Sequence, residues 1–159
     1  MFTQTLYAGN SKEQYIMLGK QLDALLEGEK NTVANLSNAS ALLNQFFEKI
    51  NWVGFYLMED GELVLGPFQG LPACVRISVG RGVCGTAVSD KETIIVPDVH
   101  EFPGHIACDA ASQSEIVVPM IKNGEVIGVL DIDSPEKNRF GKHDQEGLEN
   151  FVRILLKHI

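Results

Sequence analysis

The chain is short of basic residues, short of cysteine and without a long apolar run, and each shortage removes a class of function. Thirteen Lys and Arg stand against twenty-one Asp and Glu, for a formal net charge of −8. The basic residues form no stripe, so the clustered positive charge that phosphate binding needs is missing and nucleic acid is excluded as a partner. No apolar stretch approaches the ~20 residues that span a bilayer. The opening Met1-Phe2-Thr3-Gln4 lacks the basic region and apolar run of a secretory signal. A cytoplasmic protein with no membrane association is the expectation. Cysteine occurs only as Cys74, Cys84 and Cys108. Three thiols in a reducing compartment do not make a structural disulfide framework, and an odd number leaves at least one unpaired. There is no C-x-x-C pair, and the spacings to His100 and His105 match no common zinc module, so no metal is expected.

What is present is enough for one ordinary domain with its own core. The 159 residues are 45% hydrophobic and 21% charged, with no repeat and no linker. Tyr15, Leu18, Leu22, Leu25 and Leu26 fall on one helical face, and Val33, Leu36, Leu43, Phe47 and Ile50 form a second stripe. Gly28 between them suits a helix stop. From Trp52 the pattern turns to strand: Trp52 to Met58, a turn at Asp60-Gly61, then Leu63-Val64-Leu65. A second hairpin runs from Ile116 to Ile121, through Asn123-Gly124, to Val126 through Asp133. The segment from Gly66 to Ser114 is irregular, with a short strand candidate at Ile94-Ile95-Val96. Leu148, Phe151, Val152, Leu155, Leu156 and Ile159 mark an amphipathic C-terminal helix. Helices at both ends around antiparallel strands predict an α+β sandwich, with the terminal helices on one sheet face and the irregular middle over the other face or along the sheet edge. Long irregular segments inside small domains usually carry function, which places the site there.

The chemistry-bearing residues agree with that placement. Gly80-Arg81-Gly82-Val83-Cys84-Gly85 spells G-x-G-x-x-G, but it lies among hairpins rather than in a βαβ unit, so it predicts a tight turn into a short helix, not a dinucleotide site. Cys84 near that helix N-terminus is expected to be favoured as thiolate. Asp131 and Asp133, two apart on a strand, share a sheet face with Ile127 and Val129, where a carboxyl beside apolar surface has a raised pKa. Ideal two-residue hairpin pairing sets Glu115 opposite Ile132, on the other face. Glu115 reaches the aspartates only if the strand bulges or begins after it. Trp52 and Tyr56 share a face of the first strand, as core or as the aromatic wall of a small-ligand pocket.

Taken together, several stretches closely resemble the free methionine-(R)-sulfoxide reductases, a family built on a GAF domain. They are Asn51-Trp52-Val53-Gly54-Phe55-Tyr56, Gly66-Pro67-Phe68-Gln69-Gly70, Gly80 through Ala87, Asp98-Val99-His100, Gly104 through Ser112, Ser114-Glu115-Ile116-Val117 and Asp131-Ile132-Asp133-Ser134. The resemblance implies a single GAF domain over 1–159 and an oxidoreductase that reduces free methionine-(R)-sulfoxide. It implies Cys108 as nucleophile, leaving a sulfenic acid that a second cysteine converts to a disulfide. Cys84 is the favoured partner and Cys74 the second choice, with a thioredoxin-like dithiol as reductant. A short helix over Cys108 to Ser112 would favour the attacking thiolate. By the same resemblance Glu115, Asp131 and Asp133 bind the substrate ammonium, with Asp133 or Glu115 as the acid, and Trp52 and Tyr56 surround the S-methyl end. No cofactor is implied. GAF relatives often dimerise, so a homodimer is a further expectation. The competing class is a GAF sensor that binds a small ligand without turning it over.

Overall fold

The change of hydrophobic period at Trp52 separates a helical N-terminal third from a sheet. The computed structural model describes residues 2–105 and 109–159. Helix α1 (Ser11–Leu26) is capped by Asn10, whose side chain accepts from the Glu13 N–H, and α2 (Thr32–Phe46) is capped in the same way by Asn31. Gly28, at φ +83°, ends the first helix in the left-handed conformation that suits glycine. The second stripe is shorter than its spacing suggests. Val33 is exposed, Phe47 is the C-cap, and Ile50 lies beyond the helix, where Lys49 takes a positive φ.

Strands β1 (Trp52–Glu59), β2 (Glu62–Gly70), β3 (Arg76–Ser78), β4 (Ile94–Val96), β5 (Ser114–Lys122) and β6 (Glu125–Ser134) form one sheet in the order β3-β2-β1-β6-β5-β4. Every neighbouring pair is antiparallel. Asp60-Gly61 and Asn123-Gly124 turn the two hairpins, all four residues with positive φ, as a two-residue turn requires.

Two cores divide at the sheet. On one face α1, α2 and the amphipathic α4 (Lys142–Leu155) bury Leu18, Leu22, Leu36, Leu43, Phe151 and Leu155 against Phe55, Ile116, Leu130 and Ile132. On the other, α3 (Gly82–Asp90) sets Val83, Cys84, Ala87 and Val88 against Trp52, Tyr56, Val117 and Val129. The expected arrangement is therefore observed: terminal helices on one face, the middle of the chain on the other.

The second hairpin departs from ideal pairing. Lys122 faces Glu125 and Ile121 faces Val126, but Met120 faces Gly128, so Ile127 is an extra residue on β6. This bulge moves every later pair by one position, and Glu115 faces Asp133 rather than Ile132. It also removes Ile127 from the aspartates' row: Ile127 packs with the helical core, while Val129 stays on the site face.

Candidate active site

The register of three central strands builds the floor of the site. Asp133 lies between Trp52 on β1 and Glu115 on β5, and Asp131 lies between Gly54 and Val117. Residues in register share a face, so Trp52, Asp133, Glu115 and Asp131 look the same way, toward α3. Together with Tyr56, Cys84, His105, Asp109, Ser112 and Arg81 they line one cleft of about 560 Å³, part of it open to solvent. Its aromatic wall is a stack: Trp52 lies 5.1 Å from Phe68 and 6.0 Å from Tyr56 between ring centroids. Gly54 makes room for that stack, because a Cβ there would sit 2.3 Å from the Phe68 Cβ. The polar ends of the wall hold the neighbouring loop. Trp52 Nε1–H donates to the Leu71 carbonyl at 3.1 Å, and the Tyr56 hydroxyl donates to the Cys74 carbonyl at 2.9 Å.

The electrostatics are one-sided. Glu115 and Asp131 are buried, and Asp133 is half-buried beside them. Among the described residues no lysine or arginine pairs with any of the three; the nearest base is His105, whose Nε2 is 3.8 Å from Glu115 Oε1. Burial, then the neighbouring carboxylates Asp131 and Asp133, pushes the Glu115 carboxyl well above the carboxylate range. Burial and then Asp131 do the same to Asp133. Asp131 is raised by burial but partly held down by hydrogen bonds from Glu115 and Cys84. These directions agree with one arrangement, in which Asp131 is the anion and Glu115 and the Cys84 thiol donate to it. Burial also keeps the His105 imidazole below its ordinary pKa, so it is a neutral base.

Cys84 corrects one expectation. It does sit in the first turn of α3, but it is buried, and desolvation followed by Asp131, Glu115 and Asp133 pushes its thiol pKa well up. Burial and the neighbouring carboxyl groups outweigh the partial charge of a helix end, so Cys84 is a thiol. The glycines of G-x-G-x-x-G have purely local reasons. Gly80 and Gly82 take positive φ, and a Cβ on Gly85 would sit 2.4 Å from the Ser78 carbonyl oxygen.

Cys84 is a free thiol, whereas Cys74, on the loop held by Trp52 and Tyr56, is disulfide-bonded. Cys108 lies outside the described residues. The helix expected up to Ser112 is not seen over Asp109–Ser112, which form a turn closed by Ser112 N–H to Asp109 O at 3.2 Å. That turn is fastened to the sheet by Asn51, whose Nδ2 donates to Asp109 Oδ2 at 2.9 Å and to Ser112 Oγ at 3.0 Å. Asp109 and Ser112 line the cleft and Asn51 anchors them, positions that residue chemistry did not single out. Their signal is the three-way polar contact, which no periodicity shows.

The family model for the GAF domain matches residues 32–158. The free methionine-R-sulfoxide reductase of Escherichia coli is 55% identical over 148 residues, covering 93% of this chain and 90% of that protein. The Staphylococcus aureus enzyme, solved with its substrate, is 55% identical at a TM-score of 0.88, covering 97% of this chain and 99% of that one. The chain belongs to the free methionine-(R)-sulfoxide reductase family. The Neisseria meningitidis reductase of that family, also solved with its substrate, superimposes at a TM-score of 0.94 with 42% identity, covering 99% of this chain and 95% of that one. The GAF-like α+β fold of the family is the one described above. Among the described residues, no helix is long and apolar enough to cross a membrane.

Proposed function

We propose that this protein reduces free methionine-(R)-sulfoxide to methionine with its own thiols. The observation that carries the reading is the uncompensated carboxyl set beside an aromatic wall, Glu115 and Asp131 buried and Asp133 half-buried. A buried anion without a cation partner is costly, and the α-ammonium of a free amino acid supplies that partner. A peptide-bound residue has no such charge and is rejected. Arg81, the one arginine or lysine lining the cleft among the described residues, would take the α-carboxylate. Trp52 and Tyr56 would enclose the S-methyl end.

In the reaction, the Cys108 thiolate attacks the sulfoxide sulfur while Asp133 or Glu115, both held protonated by burial, gives a proton to the departing oxygen. The hydroxyl then passes from the substrate sulfur to Cys108 Sγ as the S–O bond and the newly formed S–S bond both break, so methionine leaves, Cys108 becomes a sulfenic acid, and the sulfoxide gains the two electrons that the thiol loses. A second thiol condenses with it, releasing water and forming a disulfide. Cys74 is favoured over Cys84 for this step: Cys74 is disulfide-bonded, while Cys84 is a buried, protonated thiol hydrogen-bonded to Asp131. A thioredoxin-like dithiol then reduces the disulfide.

Turnover of racemic free methionine sulfoxide with dithiothreitol, with the epimers resolved by chromatography, tests the reading. Consumption of the R epimer alone, with a peptide-bound sulfoxide left untouched, is expected. Stoichiometric binding without consumption by fully reduced protein would overturn it in favour of a sensor.

A further inference from the structure

Four potential metal ligands that share no sequence motif converge on the inner wall of the cleft. Cys84 enters from α3, Glu115 from β5 and Asp131 from β6, and one donor atom of each lies within 4.8 Å of the others. His105 joins them from the preceding loop, its Nε2 3.8 Å from Glu115 Oε1. Their linear order resembles no zinc module; the sheet register and α3 bring them together. All four are buried or nearly so, and all four line the cleft. A second observation points to a ligand. Asp131 Oδ1 is buried and has no hydrogen-bond partner among the described residues, an acceptor that a cation would satisfy.

The donor set selects the ion. One sulfur, one imidazole nitrogen and two carboxylate oxygens suit a borderline-soft divalent ion of the zinc class. Magnesium and calcium demand more oxygen ligands and no sulfur. Bonds of ~2.0–2.3 Å in a tetrahedral zinc site separate neighbouring ligand atoms by ~3.3–3.8 Å. The inner three donors therefore need to contract by about 1–1.5 Å, and His105, which lies outside that group, has to turn further inward, both by side-chain rotation while the strands stay fixed.

We propose that the reduced protein binds one thiophilic divalent cation of the zinc class through Cys84, His105, Glu115 and Asp131. On the substrate assignment above, the cation takes the same carboxylates as the substrate ammonium, so metal and substrate exclude one another.

Cobalt(II) takes the place of zinc in such sites and reports thiolate coordination by a near-ultraviolet charge-transfer band. The test uses the full chain with Cys74→Ser and Cys108→Ser, so that Cys84 is the only thiol. A band that saturates at one equivalent of cobalt and is bleached by zinc is expected. Adding Cys84→Ser should abolish it, and Asp131→Asn or His105→Gln should each weaken cobalt affinity at least tenfold. Absence of the band in the parent, or affinity unchanged by both Asp131→Asn and His105→Gln, would overturn the proposal. Those two variants carry the test if Cys84→Ser does not fold. The titration needs no turnover, so its failure is distinguished from failure of the reductase reading by the epimer assay.

Discussion

At the residue scale, Cys74 and Cys84 differ in state: Cys74 is disulfide-bonded and Cys84 is a buried free thiol. Cys74 lies on a loop pinned by Trp52 and Tyr56, and Cys84 is sealed against Asp131. If Cys74 resolves the sulfenic acid, Cys74→Ser should release close to one equivalent of methionine in a single turnover and then stall with thioredoxin as reductant. Cys84→Ser keeps a donor toward Asp131 and should retain cycling within about tenfold of wild type. Quenched-flow methionine yields in the two variants check this, and the reverse pattern would return the resolving role to Cys84. The carboxyls supply a pH prediction. Burial raises Glu115 and Asp133 above their unfolded values, so between the unfolded and folded pKa the folded state holds more protons and stability falls as pH rises. The contribution is full below about pH 4 and is lost through the raised folded pKa. Glu115→Gln should therefore raise Tm at pH 8, by roughly 1–2 kcal/mol or ~2–8 °C, and by less at pH 4.5. Calorimetry showing a lower Tm for the variant at pH 8 would contradict the assignment. Composition and strand alternation placed Asp131 and Asp133 on one face. They could not place Glu115, whose position depends on a bulge that costs one residue of register.

At the element scale the boundaries that failed are those set by tertiary contact rather than by local chemistry. Gly28, Asp60-Gly61 and Asn123-Gly124 act through their own backbone, and the helix stop and the two hairpins they set were legible. The end of α2 and the turn after Asp109 were not, because Phe47 leaves the helix as extended backbone to pack in the helical core, and the turn depends on Asn51 reaching across from β1. Helix α4 shows the same dependence in its packing. A Cβ on Gly147 would lie 2.2 Å from Tyr15 Cγ on α1, and Tyr15 donates its hydroxyl proton to Asp144 at 2.7 Å. Gly147→Ala gains up to ~1 kcal/mol of helix propensity but overpacks this crossing at a cost of about 1–3 kcal/mol. A net fall in Tm of a few degrees is expected, with kcat of the folded protein unchanged because α4 is on the face away from the cleft. A Tm equal to or above wild type would show that Tyr15 moves aside freely.

At the scale of the whole molecule the sheet separates a layer built for stability from a layer built for chemistry. The helical face is closed by three helices of 14 to 16 residues. Among the described residues the cleft face is covered by one α-helix of nine residues, a 3-10 turn at Val99–Glu101 and loops, over a floor that includes buried carboxyls. Native-state hydrogen exchange should then be slowest in β1, β6 and α4, at the global unfolding free energy. Amides of α3, β3 and β4 should exchange through smaller openings, at least tenfold faster. Uniform protection across both layers would mean that the cleft side does not open independently.

The sheet order has one more consequence, for the fate of the protein at high concentration. Its outer strands, β3 and β4, are three residues long, and β3 carries Arg76, paired to Glu62, toward solvent. A stray strand from another molecule would find three residues of backbone along either outer strand, too short a template for growth by strand addition there. Fibril seeding should accordingly demand prior unfolding, and the native protein should keep its solubility through long storage.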